Sequence, residues 1–160
     1  MESNSFFNWL FHPPVDGPSS SIIIRFLAGS IFLTEGIIKF LFANQGVGRF
    51  TKIGIPFPDM MAPFIAILEI VGGLLLIAGY LTRVFSILFI IQMLVAVLST
   101  KIAVYLGTSP IIKPTAPPVS GIWAFFHETR VDYAQILTTI FLLISGPGKL
   151  SVDAGLSKKK

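Results

Sequence analysis

The chain has 160 residues, of which 53% are hydrophobic and only 12% charged, with a mean hydropathy of +0.80. Soluble domains carry roughly a quarter charged residues, so this balance excludes an ordinary soluble core and points to a membrane protein. The absence of cysteine excludes disulfides, thiolate metal sites and thiol redox chemistry. A net charge of +4, three of it in the terminal lysines 158–160, leaves no basic face for nucleic acid.

The first element is an aromatic leader over residues 1–21, in which Phe6, Phe7, Trp9, Leu10 and Phe11 suit a segment lying at the membrane interface. It lacks the basic start and long apolar run of a signal peptide. A spanning helix needs about 20 mostly apolar residues, and four spans are expected, at about 22–43, 62–81, 84–106 and 131–145. The second has Asp59 as its expected N-cap and Pro63 near its first turn. The fourth is the shortest, with a possible earlier start within "IWAFFHETR", and it breaks at Gly146-Pro147-Gly148. Only "TR" separates the second and third spans, which implies a tight antiparallel hairpin. The loop between the first two spans is apolar enough to fold back on the membrane surface, and the loop before the fourth has four prolines that forbid a continuous helix. The expected architecture is therefore an all-α membrane protein: a transmembrane four-helix bundle over 22–153, an interfacial N-terminal segment and a basic tail over 154–160. Four spans put both termini on one side, and the tail lysines tip that side toward the cytoplasm.

The first span carries Glu35 and Lys39 inside its apolar run. Its 13 Leu, Ile and Phe residues favour insertion by about 6 kcal/mol, whereas one central charge costs around 2.5–3.5 kcal/mol. Insertion is possible, but the charges still need partners. The i, i+4 spacing sets Glu35 and Lys39 about 40° apart on one face, acid before base. Glu69 on the second span is expected at the same depth as Glu35, roughly 10–12 Å below the loop-side surface. Lys101 reaches that surface on the third span, and Glu128, Arg130, Asp132 and Gln135 lie on or near the fourth. The expectation is a polar cluster of Glu35, Lys39, Glu69 and Lys101, covered by His127, Glu128 and Asp132. Such a cluster is either a ligand or proton site or a structural lock on helix register. Gly29, Gly36, Gly72 and Gly73 are expected to let helices pack closely.

Only two histidines occur, His12 and His127, neither within a span, so haem and metal sites are not expected. No nucleotide loop or serine triad is present. Catalytic residues cannot be assigned, and any redox role needs a borrowed centre such as a quinone or a partner subunit.

"RFLAGSIFLTEGIIKFL", "GIPFPDMMAPFIAILEIVGGLLLIAGYLTR" and "GPGKLSVD" together resemble the DoxX family of small prokaryotic membrane proteins. The matching positions are Arg25, Gly36, Lys39, Glu69, Gly72, Gly73, Arg83 and Asp153. The resemblance implies a helical bundle in a bacterial or archaeal inner membrane. It also implies a place beside relatives described as membrane parts of sulfur-compound or oxidative-stress redox systems, including a thiosulfate:quinone oxidoreductase. The leading expectation is a membrane subunit of a redox-linked assembly that binds quinone through the Glu/Lys cluster. An accessory subunit gripping a larger complex and a small transporter are the alternatives. Lipid, and either protein subunits of a complex or further copies of the chain, are the expected partners.

Overall fold

A computed structural model describes residues 3–158; Met1 and Glu2 of the leader and Lys159 and Lys160 of the basic tail lie outside it. Among the described residues all regular structure is helical: α1 (Ser3–Phe11), α2 (Ser21–Leu41), α3 (Val47–Lys52), α4 (Pro58–Ala78), α5 (Thr82–Ala96), a π-helical turn (Val97–Lys101), α6 (Ile102–Tyr105), α7 (Gly121–Ser145) and α8 (Val152–Ser157). Among the described residues three helices are long and apolar enough to cross a membrane: α2, α4 and the continuous run Thr82–Tyr105.

Local chemistry sets the boundaries. Pro58, rather than Asp59, opens α4, because its fixed φ and missing N–H suit the first helical position. Asp59 falls in the first turn instead, and Pro63 lies inside the helix. Gly79 ends α4 in the left-handed region, at φ 71°. Helix α7 starts at Gly121, ten residues before 131 and just ahead of "IWAFFHETR", where the earlier start was expected. Its polar residues explain the extension: Glu128, Asp132 and Gln135 recur at i, i+4 and i+7, so one face is polar while the helix continues. The first connection is not a plain loop, since it contains α3, which packs on α4.

The long helices form two antiparallel pairs, α2 with α4 and α5–α6 with α7. The first pair is drawn together by glycine. A Cβ on Gly29 would lie 2.5 Å from the Gly73 carbonyl oxygen, and one on Gly73 would lie 2.6 Å from the Gly29 carbonyl oxygen. About two turns further along, a Cβ on Gly36 would meet the Ala66 carbonyl oxygen at 2.7 Å. Only hydrogen fits along this seam. Gly72 faces the other pair and receives the rings of Phe85 and Phe89. Between the pairs Phe32 and Phe89 stack at 3.7 Å, and they join Ala28, Leu76 and Leu142 in the buried core.

Below this core the helix ends are tied together. The Asp153 carboxylate accepts from the Leu81 and Thr82 backbone N–H groups at 3.2 and 3.4 Å, so a residue some seventy positions away caps α5. Arg25 donates to the Leu150 carbonyl at 2.5 Å, and Arg83 donates to the carbonyls of Leu143 and Trp9 at 3.0 and 2.6 Å. The Arg83 guanidinium also lies 4.4 Å from the centre of the Trp9 ring, which docks α1 on the bundle. Phe6, Phe7 and Phe11 of α1 remain exposed.

Gly73→Leu drives a side chain into the α2 backbone and is expected to cost about 3 kcal/mol. Thermal unfolding in detergent should show the loss, with Gly155→Ala, where an added Cβ meets nothing, unchanged.

Candidate functional site

The α2–α4 seam sets which side chains meet. Gly36 packs level with Glu69: a Cβ on Gly36 would lie 3.0 Å from the Glu69 Cβ. Lys39, almost one turn past Gly36, therefore reaches over α4, and its Nζ donates to Glu69 Oε2 at 2.7 Å and Oε1 at 3.0 Å. Gln92 of α5 donates to the same Oε1 at 2.5 Å. The Glu69 side chain is only 3% exposed, so this three-residue group is held inside the protein. Glu69 lies 11 residues past Pro58, roughly 16 Å along α4, deeper than the expected 10–12 Å because the helix begins earlier.

These residues form one wall of a cavity of about 660 Å³ between the two helix pairs. Contacts between α4 and α5 are sparse, so the pairs separate above Phe32–Phe89 and leave a wedge. Its walls are mainly apolar, with Ile31, Phe32, Met61, Leu68 and Met93 among them. Four acids and four bases also line it: Glu35, Glu69, Glu128 and Asp132, with Lys39, Arg49, Lys101 and Arg130.

The expected single cluster is resolved into two. Lys101 does not join Lys39 and Glu69; it pairs with Asp132 at 3.4 Å and donates to the Glu128 carbonyl at 2.8 Å. Glu128 thus contributes its backbone to this second pair. Glu35 stands apart, 57% exposed, with its carboxylate 3.8 Å from Lys39 Nζ. A neighbouring cation at that distance leaves Glu35 the looser partner, because Glu69 already holds Lys39 by two short bonds. His127 is not among the lining residues. The family-motif residues Arg25, Arg83 and Asp153 lie in the tied helix ends, on the far side of the core from the cavity.

Two features escaped sequence reasoning. Gln92 completes the buried group, and its signal was a lone amide in the apolar run "SILFIIQMLVAV". The π turn Val97–Lys101 places Ser99, Thr100 and Lys101 on the cavity wall, and Thr100 donates back to the Ala96 carbonyl at 2.6 Å. No composition signal marks it.

Paired apolar helices around a charge-lined cavity define a small helical membrane protein. The DoxX family model matches residues 20–102, and the chain belongs to the DoxX family. It is 41% identical to an uncharacterized membrane protein of Mycobacterium tuberculosis, Rv3486, over 90% of this chain and 85% of that one. It is 29% identical to a Bacillus subtilis protein named "Putative oxidoreductase CatD", over 88% of this chain and 89% of that one. No solved structure gives a significant match.

Lys39→Met strands a buried carboxylate and is expected to destabilise the protein by about 3–5 kcal/mol, largely recovered in Lys39→Met with Glu69→Met; thermal unfolding of the single and double variants checks this. Outside the apolar helices, burial pushes the Asp153 carboxyl above its usual range, against the opposing pull of the Leu81 and Thr82 hydrogen bonds and of Arg25. The folded chain therefore binds this proton more tightly than the unfolded chain does. That contribution is complete below the ordinary carboxylate value of about 4 and is lost as pH rises through the raised value. Unfolding temperatures measured from about pH 4 to 7 should fall more steeply for the wild type than for Asp153→Asn.

Proposed function

We propose that the protein is a membrane subunit of a redox-linked assembly and that its cavity takes a quinone headgroup at Lys39, Glu69 and Gln92. The observation that carries this reading is Gln92 Oε1, a buried acceptor without a hydrogen-bond partner. Buried polar atoms are rarely left unpaired, and this one belongs to a residue on the wall of a cavity of ligand size. A hydroxyl of the reduced headgroup, the quinol, would satisfy it. The residues present fit the group in other respects too: apolar walls for a ring, and a small set of polar atoms at one position to orient it.

A bound quinone would supply the two-electron, two-proton chemistry that no side chain of this cysteine-free protein supplies. The chain's own residues bind and orient. With the quinol bound, Gln92 Oε1 would accept from a headgroup hydroxyl, Glu69 would be the acceptor for the proton that hydroxyl releases on oxidation, and Lys39 Nζ holds the carboxylate in place. Glu35, exposed beside Lys39, connects that pair with the outside. The name of the Bacillus subtilis relative supports an oxidoreductase setting for this chain.

In this reading α7 is the fourth span. Its charged face is turned to the cavity, which removes the main objection to inserting it. The membrane is the cytoplasmic one, with both termini on the cytoplasmic side and the exposed aromatics of α1 in the headgroup zone. A second reading, an accessory subunit in which the charges only lock the helices, is favoured by the two short bonds that already satisfy Lys39 and Glu69.

The test is quinone content. Protein purified from membranes in mild detergent is expected to carry extractable quinone, and Glu69→Gln to carry several-fold less while remaining folded. Equal quinone in both proteins would favour the lock.

A further inference from the structure

The cavity has two lateral mouths of opposite character. A residue that both lines the cavity and faces the outside marks where the wall is one side chain thick or open, and such residues fall into two groups. On one side are Glu35 of α2 with Arg130 and Val131 of α7, a polar mouth at the level of the ion pairs. On the other are Phe64 of α4 and Leu88, Ile91 and Val95 of α5, which are 59%, 37%, 54% and 49% exposed. This second mouth is apolar throughout.

Helical geometry explains it. Taking Gln92 as the direction of Glu69, the 100° step places Leu88 and Val95 about 40–60° and Ile91 about 100° to one side of it. Phe89, which stacks on Phe32, lies about 60° to the other side, toward the core. Leu88, Ile91 and Val95 therefore form the outward edge of the seam with α4. The α4 and α5 backbones come close at few positions, and beyond the rings of Phe85 and Phe89 on Gly72 the side chains along that seam, Phe64 of α4 and Leu88, Ile91 and Val95 of α5, both line the cavity and reach the surface. Both helices are long and apolar enough to cross a membrane, so the surface reached is one that hydrocarbon would cover.

We propose that the gap between α4 and α5 is a portal to the bilayer through which a single apolar tail leaves the cavity, so that the ligand is a tailed amphiphile rather than a free ring. This rests on the quinone reading and adds its substrate class. On the α4–α5 side of Lys39, Glu69 and Gln92 the lining includes Leu68 of α4 and Leu88 of α5, both apolar. A charged or short water-soluble ligand gains nothing from that wall. A tail gains burial on one side and lipid contact on the other.

The experiment compares two probes on immobilised purified protein, both kept reduced: a naphthoquinol without a tail, and the same ring with an isoprenoid tail. Ile91→Trp and Val95→Trp narrow the portal from outside without touching the polar group. Excluding even two methylene-sized groups from the apolar wall weakens binding roughly tenfold. The expected result is that both variants lose about that factor for the tailed ring and keep the tail-less ring, while Glu69→Gln loses both. If the wild type holds both probes and the tryptophan variants treat them alike, the portal is overturned and the quinone site stands. If the folded wild type holds neither probe, the quinone reading fails and takes the portal with it. Unfolding temperatures of the tryptophan variants, expected to equal that of the wild type, separate loss of binding from loss of fold.

Discussion

The approach of two backbones at Gly29 and Gly73 is the constraint on which the rest of the structure depends. Helices that touch at carbonyl distance cannot slide or rotate independently, because any side chain larger than hydrogen would separate them. The contact therefore fixes register, and register decides chemistry. With Gly29 on Gly73, Gly36 must lie on Ala66 and Glu69, and Lys39 must then fall over the Glu69 carboxylate. In hydrocarbon such packing is also a main source of helix association, since apolar side chains gain little by leaving lipid for one another.

The molecule is tight at one end and open at the other. At the tight end Arg25, Arg83 and Asp153 join α1, α2, α5, α7 and α8 through backbone carbonyls and N–H groups rather than through side-chain ion pairs. These are charge-assisted bonds in a buried setting, individually stronger than neutral ones. They hold the helix ends so firmly that the pairs can diverge above Phe32 and Phe89 without the bundle coming apart. The cavity is thus a consequence of where the fastening lies. A chain fastened at both ends would have closed it.

Much of this was legible in the sequence, for identifiable reasons. Apolar length gave the long helices, and spaced glycines gave the faces that pack. Charges within apolar runs indicated where a polar interior must be, since lipid cannot solvate Glu69 or Lys101. What could not be read was the partner of each charge. Glu35 and Lys39 are neighbours on one helix, which made them the natural pair, yet Glu69 takes the lysine because the seam delivers it across the shortest gap. Lys101 pairs with Asp132 for a similar reason, the antiparallel course of α5–α6 against α7. The start of α7 was legible only in part: an earlier start within "IWAFFHETR" was open, but the charged face of that segment resembles a loop until the cavity it borders is known. Asp153 as a cap for α5 is a contact across the whole fold, which no local pattern announces.

The π turn at Val97–Lys101 carries a further meaning. A widened turn amounts to one residue added to an otherwise regular helix, and each added residue rotates the remainder of the helix by about 100°. Everything from Ile102 onward is therefore offset from the direction α5 alone would dictate. In a regular helix Lys101, which closes the turn, would be rotated away from Asp132, and the wall would lose one of its four bases. The spare residue works as an angular spacer: it lets one span obey the core along its first four turns and serve the interior hollow in its last.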